Sequence, residues 1–231
     1  QKPNETRLDL VQKNAKIMTD VVTQIKEQEY KGILLIVSNP VDIMTQVAME
    51  VSGFPEHRVF GSGTVLDSAR LRYHLGQHLG VDSRSVHAFV IGEHGDSEIA
   101  AWSSANVSGV PLNSFCEMRG HFNHEGNTES IEEQVKNSAY EIIAKKDATY
   151  YGIAMVVKRI CQAIVRDEKS IFPISLRMHG EYALEDVVLS MPAIVGARGI
   201  ETTIPISLDE KEVSRLHESA EMLRETRKEI R

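Results

Sequence analysis

The sequence predicts an α/β fold, with a parallel sheet in its first part and a mixed arrangement of helices and strands in its second. Apolar residues recur at helical spacing and then in strand-length runs, and this alternation covers residues 6–79. The run Ile33–Val37 is apolar throughout, which is typical of a central parallel strand covered on both faces. The pattern changes near residue 63, and antiparallel strands are predicted from residue 170 onward.

The first part is predicted to alternate helices with strands. Thr6 can cap an amphipathic helix that continues to about Gln28. The apolar strand follows, and a second helix continues through about Val51. The short strand Val59-Phe60 then leads through three small residues into a helix over Leu66–Leu79. This order of elements is the α/β pattern.

The second part is predicted to contain one more strand, a long helical region and three antiparallel strands. The strand Val86–Gly92 ends in a polar turn, Glu93–Asp96, and a helical region spans Ile131–Arg166 with a bend near Lys145–Thr149. Asp209 can cap a final charged helix. The antiparallel strands are expected at Ser170–Met178, Asp186–Ala193 and Glu201–Ile206.

Charge and composition argue against several classes of protein. Of the 231 residues, 42% are hydrophobic and 26% are charged, which is ordinary globular usage. The net charge of −7 argues against nucleic acid or an anionic membrane as a partner. The longest apolar run is only strand-sized and no leader precedes it, so a soluble, cytoplasmic protein is expected.

Cysteine and histidine usage predicts neither a disulfide framework nor a metal site. Cys116 and Cys161 are too few and too far apart for a disulfide scaffold, so they are interpreted as reduced thiols of a cytosolic protein. His121 and His124 lie in a polar stretch, residues 120–128, with no cysteine or third histidine nearby in the sequence. A solvated loop is therefore favoured there over metal binding.

Two segments carry residues suited to acid–base chemistry. Asp67 and Arg70 are three residues apart on a predicted helix and share one face, although a surface ion pair is the commoner reason for that spacing. His94 precedes Gly95 at the carboxyl end of a predicted strand, where α/β folds place ligands, although a lone loop histidine is more often structural. Together, the acid and the imidazole could form a general base and its orienting partner.

Five motifs in register give the chain a family resemblance. They are found in Gln1–Leu10 (QKPNETRLDL), Ser38–Asp42 (SNPVD), Gly61–Arg70 (GSGT and LDSAR), Gly92–Asp96 (GEHGD) and Lys146–Ala154. In order and approximate spacing they resemble the L-lactate/malate dehydrogenase family in its bacterial form. The resemblance covers the whole chain.

This resemblance implies a partial doubly wound (Rossmann-type) parallel sheet followed by a mixed α/β substrate-binding domain. Residues 1–63 would be the C-terminal remnant of the NAD-binding domain with the active-site loop, and residues 64–231 the catalytic domain. The Gly-rich turn of the family and its acidic ribose ligand are not found, and the first four of about six parallel strands would be missing. We therefore expect an uncovered apolar sheet edge and, for a chain that begins at Gln1, weak or absent dinucleotide binding.

The resemblance also assigns roles in the NAD-dependent interconversion of a 2-keto acid and a 2-hydroxy acid. His94 would donate the proton, because imidazole titrates near working pH, and Asp67 would orient the ring. Arg70 would hold the substrate carboxylate through a bidentate fork. Arg7, on a mobile loop, would bind the substrate and polarise its carbonyl.

Further substrate and cofactor contacts follow from the same resemblance. Asn39 would hydrogen-bond both the reacting oxygen and the nicotinamide of NAD, and Thr149 would line the substrate pocket. The other residues expected to border the nicotinamide are Val37, Ser62 and Ile153. A core or turn role is almost as good an explanation for those three.

Gln1 favours pyruvate and L-lactate as the substrates. In this family an arginine at that position pairs with the second carboxylate of oxaloacetate, which a neutral glutamine cannot do. Malate or another 2-hydroxy acid stays open as an alternative substrate. A catalytically inactive fragment that serves as an oligomerisation module is also open.

A second binding site is suggested by Arg72 and His87. They match two family positions that bind a phosphate of fructose 1,6-bisphosphate across a subunit interface. A solvated arginine and a strand-end histidine explain the same residues equally well, so allosteric activation stays an open hypothesis. The resemblance further implies a homo-oligomer, either a tetramer or a dimer.

Overall fold

The computed structural model describes the backbone of residues 7–146 and 150–230, and the side chains of residues 10–138 and 150–230. Its helices are α1 (Arg7–Glu27), α2 (Val41–Ser52), α3 (Val65–Leu79), α4 (Leu112–Met118), α5 (His124–Lys146), α6 (Tyr151–Val165) and α7 (Glu210–Lys228). Its strands are β1 (Leu34–Ile36), β2 (Val59–Gly61), β3 (Val86–His87), β4 (Val90–Ile91), β5 (Ile99–Ala100), β6 (Asn106–Val107), β7 (Val110–Pro111), β8 (Ser170–His179), β9 (Glu185–Gly196) and β10 (Gly199–Thr203).

The largest sheet has five strands in the order β1-β2-β8-β9-β10. Strands β1 and β2 run parallel, with Leu34 opposite Val59 and Ile36 opposite Gly61. Strand β9 runs antiparallel to both of its neighbours, β8 and β10, and β8 joins the parallel pair in antiparallel orientation through the partner pair Gly61 and Ser175. The expected α/β class, parallel first and mixed later, is confirmed.

Gly63 occupies the tight passage between the end of β2 and strand β8. Its φ of 51° lies in the left-handed region that favours glycine. A Cβ at this position would lie 2.7 Å from the carbonyl oxygen of Pro173 and from the amide nitrogen of Ser175. Because both neighbours are backbone atoms of β8, a side chain here would push the two strands apart.

Two hydrophobic cores form inside the protein. The larger core lies between the five-stranded sheet and helices α1, α2, α6 and α7. The smaller core lies beneath α3, where Leu71, Leu75 and Leu79 follow the helical repeat and are almost fully buried against the short strands and α5. Burying each leucine contributes about 2 kcal/mol, so this stripe fixes the orientation of α3.

Three expectations for the second part were wrong in detail. The single strand Val86–Gly92 is two short strands, because β3 pairs with β6 while β4 pairs with β5. Helix α5 begins at His124, so residues 120–128 are not one loop. The third strand of the antiparallel set ends at Thr203, earlier than expected. A third histidine is also near in space, since the ring of His78 lies 4.2 Å from that of His121.

Strand β1 lies at one end of the five-stranded sheet. The side chains of Leu34 and Ile36 point to one face of the strand and are buried in the larger core, whereas Leu35 on the opposite face is only partly buried. The full cover on both faces that the apolar run predicted is therefore found on one face only. Within the described part of the chain, β2 is the one strand that pairs with β1. No helix among the described residues is long and apolar enough to cross a membrane.

Candidate active site

His94 lies in the loop that joins β4 to β5, and three separate parts of the fold hold this loop. Gly92 exchanges two backbone hydrogen bonds with Ser190 of β9, at 2.8 and 2.9 Å. The amide of Glu93 donates to the Ser219 hydroxyl of α7 at 2.8 Å. The amide of His94 donates to the Asp42 carboxylate of α2 at 2.8 Å. The turn is therefore a fixed platform for the imidazole.

Gly92 permits this close packing. Its φ is 85°, and a Cβ there would lie 3.0 Å from the Ser219 hydroxyl and 3.2 Å from Ile99. A larger residue would have to displace α7 or strain the backbone. The glycine in the GEHGD motif therefore has a packing reason as well as a conformational one.

The start of helix α3 is fastened directly to β4. The Thr64 hydroxyl donates to the Val90 carbonyl at 2.5 Å, and the Val90 amide donates to the Ser68 hydroxyl at 2.8 Å. Both hydroxyl side chains are fully buried. Because Asp67 lies between Thr64 and Ser68 on this first turn, the same bonds bring its carboxylate next to the loop that carries His94.

The structure brings the predicted acid–base residues together. The Asp67 carboxylate lies 2.7 Å from Nδ1 of His94, and its other oxygen accepts from Arg70 at 3.1 Å. The Asp67 side chain is 4% exposed, that of Arg70 15% and that of His94 29%. The carboxylate is therefore shielded from water while the imidazole and the guanidinium reach a cavity.

The electrostatics of this pair favour a charged imidazole. Burial by itself would lower the pKa of His94, but the hydrogen bond and charge of Asp67, helped by Asp42 and Glu98, raise it to about 9. Burial would raise the pKa of Asp67, yet the hydrogen bond and charge of His94 and the charge of Arg70 hold it below its usual value. An ionised Asp67 beside a protonated His94 is the expected state near neutral pH.

Two buried carboxyl groups near His94 were not predicted as site residues. Asp42 belongs to the SNPVD motif, but its role depends on contacts with β8, β9 and the loop that carries His94. Glu98 is 5% exposed, and one of its oxygens lies within 4.8 Å of the facing atoms of both Asp67 and His94. Burial, followed by the charge of Asp67, raises the pKa of Glu98 to about 8. No sequence spacing indicates either contact.

The cavity beside His94 has a volume of about 320 Å³ and combines polar and apolar walls. Its apolar wall includes Val11 of α1 and Val135 of α5. Its polar wall includes Asn39, Arg70 and His94. Two groups that carry positive charge and one neutral amide can receive a small carboxylate that also bears a carbonyl oxygen.

Asp67, His94 and Glu98 are the one group of three potential metal ligands found among the residues that the structure describes. The Nδ1 atom of His94 already contacts Asp67, and the pocket offers Arg70 on the same side. These contacts fit proton transfer to a bound anion. The prediction that the protein needs no metal stays a prediction.

The predicted cofactor residues lie outside the lining of this cavity, apart from Asn39. Val37 is exposed immediately after β1, and Ser62 is buried immediately after β2. Ile153 lies on α6 and is partly buried. Asn39 and Ser62 thus follow two adjacent parallel strands at their carboxyl ends, which is where open α/β sheets bind nucleotides. The contact of these residues with the nicotinamide stays a prediction.

Three predicted substrate residues cannot be placed by their side chains. Gln1 and Thr149 lie outside the described residues. Arg7 is the first residue of helix α1, so the loop expected at this position was wrong, and the described side chains begin after it. Of the two predicted phosphate ligands, Arg72 is partly buried on α3 and His87 is exposed on β3. Arg72 is two residues from Arg70 on the helix, so it points away from the cavity.

Comparison with known proteins supports the resemblance drawn from the motifs. A family model for the NAD-binding domain of lactate/malate dehydrogenases matches residues 1–61, and one for their alpha/beta C-terminal domain matches residues 64–231. The chain belongs to the lactate/malate dehydrogenase family.

Individual relatives are similar over nearly the entire chain. The L-lactate dehydrogenase of Acetivibrio thermocellus is 48% identical over 225 residues, which are 97% of this chain and 71% of the relative. That of Thermoanaerobacterium saccharolyticum is 46% identical over 230 residues, covering 100% of this chain and 74% of the relative. The crystal structure of the minor L-lactate dehydrogenase from Enterococcus mundtii, in its ligands-bound form, superposes with a TM-score of 0.96 at 42% identity. It covers 100% of this chain and 73% of that one.

Proposed function

We propose that the protein is an NAD-dependent L-lactate dehydrogenase that interconverts pyruvate and L-lactate. The observation that carries the proposal is the buried Asp67 between Arg70 and His94, with the latter two side chains facing one small cavity. The relatives named above, which are L-lactate dehydrogenases, support the same activity. When bound, NADH supplies the hydride.

His94 is proposed to give its proton to the substrate carbonyl from Nε2. Its Nδ1 atom faces Asp67 at 2.7 Å, so Nε2 is the ring nitrogen left for a ligand. Asp67 stabilises the imidazolium before transfer and fixes the ring plane. In lactate oxidation the neutral ring takes the proton back, so the same pair serves both directions.

Arg70 is proposed to bind the substrate carboxylate. It uses one guanidinium nitrogen on Asp67, and its remaining N–H donors can form a fork on a second carboxylate. Asn39, exposed at the cavity, would hydrogen-bond the carbonyl oxygen and the nicotinamide. By family resemblance, Arg7 would polarise the carbonyl and Thr149 would line the pocket.

Pyruvate is proposed over oxaloacetate because Gln1, at the family's specificity position, carries no charge to pair with a second carboxylate. The alternative substrate is malate or another 2-hydroxy acid. A catalytically inactive chain acting as an oligomerisation module is the alternative of another class. The arrangement of Asp67, Arg70 and His94 favours the enzyme, because a module would need none of these contacts.

The test is NADH oxidation by the purified protein with pyruvate or oxaloacetate. We expect turnover with pyruvate to exceed turnover with oxaloacetate, and H94N to lower it by at least about a hundredfold. H179N is the matched control, because His179 also contacts a carboxylate, Glu56 at 2.7 Å, on a surface away from the cavity. Because weak dinucleotide binding is expected, NADH binding is first measured by calorimetry. Bound NADH that neither keto acid oxidises, or an H94N variant as active as H179N, would remove the proposal.

Several finer properties belong to the same proposal. Residues 1–63 would belong to the NAD-binding domain and residues 64–231 would form the catalytic domain. Cytoplasmic location is supported by the free thiols of Cys116 and Cys161. A homo-oligomer is proposed by family resemblance, and so is activation by fructose 1,6-bisphosphate at Arg72 and His87. Helix α3 packs against β3, which carries His87. The same helix carries Asp67 and Arg70, so it connects the proposed bisphosphate site with the active site.

A further inference from the structure

Asp42 is a buried acid that the chemistry described so far does not use. It lies in the first turn of α2, three residues after Asn39, and its side chain is almost fully buried. Its carboxylate accepts hydrogen bonds from the Ser175 hydroxyl at 2.6 Å and from the His94 amide at 2.8 Å. The Ser190 hydroxyl lies at 3.5 Å. One carboxylate thus joins α2, β8, β9 and the loop that carries His94.

A carboxylate in this position costs free energy. Burial raises the pKa of Asp42 to about 6, although the hydrogen bonds from Ser175 and His94 and the charge of His94 work in the opposite direction. A neutral amide could accept the same amide hydrogen bond and still pair with a hydroxyl at no such cost. Packing and hydrogen bonding alone therefore do not explain why an acid is present.

We propose that Asp42 is a positioning residue for proton transfer, which fixes the peptide of His94 to the sheet and holds a negative charge behind the imidazolium. The inference rests on the function proposed above, in which His94 carries the proton. Among the side chains that the structure describes, the titratable groups that face Asp42 are His94 and Glu93, both from the loop, while β8 and β9 contribute the two serine hydroxyls. The imidazolium of His94 is thus the neighbour whose charge favours the ionised form of Asp42.

Two variants separate the effect of the Asp42 charge from the effect of its hydrogen bond with the His94 amide. D42N removes the charge and keeps an acceptor for the His94 amide, whereas D42A removes both. We expect D42N to lower the pKa of His94 by about one unit, because a nearby opposite charge is lost. We expect D42A also to lower kcat for pyruvate by about tenfold at about pH 7, where the imidazole is still protonated, because its position is no longer fixed.

The readout for the charge is an NMR titration of the histidine ring protons in the full chain, with H94N identifying the resonance of His94. This titration needs neither turnover nor bound NADH. If the parent chain binds NADH but shows no pyruvate-dependent oxidation of it, the proposed function fails while the role of Asp42 is still measured.

Thermal unfolding provides the comparison with a purely structural role. We expect the Tm of D42N at about pH 8 to equal or exceed that of the parent, because the buried charge is removed. An unchanged pKa of His94 in D42N overturns the proposal, and so does an unchanged kcat in a folded D42A. A lower Tm for D42N with no change in the His94 titration would make Asp42 a structural residue only.

Discussion

Three carboxyl groups surround the imidazole of His94, and their surroundings give them different charge states. Asp67 is ionised because it contacts His94 and Arg70 directly. Among the described residues, Glu98 makes no direct contact of this kind, and burial together with the charge of Asp67 raises its pKa to about 8. Asp42 has a pKa of about 6, so it loses its proton at a higher pH than Asp67 and at a lower pH than Glu98. Carboxyl groups whose pKa values are pushed apart in this way can serve separate functions in one site.

The substitution E98Q tests whether Glu98 influences the proton on His94. Above about pH 8 Glu98 of the parent adds a third negative charge near the imidazole, after those of Asp67 and Asp42, and this charge keeps the imidazole protonated as pyruvate reduction requires. We expect E98Q to move the alkaline limb of kcat/KM for pyruvate to lower pH by about half a unit, and to leave kcat/KM nearly unchanged at about pH 6.5.

The pH profile between about pH 6 and 10 measures this effect. E117Q is the matched control, because Glu117 contacts His124 at 3.2 Å on a surface outside the cavity. Superimposable alkaline limbs for E98Q and E117Q would show that Glu98 does not act on His94. A shift of the alkaline limb in E98Q but not in E117Q would support an electrostatic effect of Glu98 on His94.

At the scale of residues, the acid–base pair of Asp67 and His94 could be predicted from the sequence, but the buried carboxyl groups of Asp42 and Glu98 near it could not. Asp67 and Arg70 are three residues apart on a helix, and His94 follows a strand, so local rules suffice to suggest an acid–base pair. The position of Asp42 depends on packing between segments far apart in the chain, whereas Glu98 belongs to the same loop as His94 and is brought to Asp67 by the fold of that loop. A buried acid has no spacing signature, because its partners here are the hydroxyls of β8 and β9 and the atoms of another loop.

At the scale of elements, α7 connects helix capping with the active-site loop. Asp209 accepts from the Glu212 amide at 2.8 Å, and Glu212 accepts from the Asp209 amide at 2.9 Å, which completes a capping box. Glu212 also accepts from the Ser103 amide at 3.0 Å. Further along the same helix, Ser219 holds the amide of Glu93. The cap therefore fixes the start of the element that supports the loop.

The substitution D209A should weaken this cap. We expect the free energy of unfolding to fall by about 1 kcal/mol, because one backbone donor of the first turn loses its partner. Urea denaturation monitored by circular dichroism measures the loss. E225A, an exposed change on the same helix, is the control and should stay within about 0.5 kcal/mol of the parent. Equal stabilities for D209A and E225A would show that the cap contributes nothing measurable.

Helices whose bounds are fixed by their own sequence were predicted well. Strands whose bounds depend on their pairing partners were not. The helix predicted over Leu66–Leu79 differs by one residue from α3, because its periodic apolar face and C-terminal glycine are local. The strand Val86–Gly92 was predicted as one because its residues are mostly apolar. Its two halves pair with different partners, β6 and β5, and pairing partners cannot be deduced from composition.

At the scale of the whole molecule, the candidate site lies between the two cores. Val11 on one wall of the cavity belongs to the larger core, and Val135 on another wall belongs to the smaller. The larger core contains residues from both sides of residue 63, so α1, α2 and β1 pack with α6, α7 and the antiparallel strands. The packing is therefore continuous across residue 63, and the division proposed there stays a proposal about roles.

Activation by fructose 1,6-bisphosphate is the prediction that belongs to the assembled protein. We expect the bisphosphate to lower the pyruvate concentration for half-maximal rate, and R72Q to abolish that response, because a phosphate ligand is lost. R84Q is the matched control. Arg84 is an exposed arginine that pairs with Asp82 just before β3, so its loss removes the same charge without removing the proposed ligand.

The measurement is a pyruvate saturation curve with and without the bisphosphate, together with sedimentation velocity of each variant. Arg72 and Arg70 point in different directions from one helix, so R72Q should retain the basal activity that depends on the cavity. If the effect of the bisphosphate on the pyruvate saturation curve survives in R72Q, or is lost equally in R84Q, Arg72 is not a specific ligand for activation. A parent whose curve and oligomeric state are both unaffected by the bisphosphate would leave Arg72 and His87 as surface residues of a dehydrogenase without this regulation.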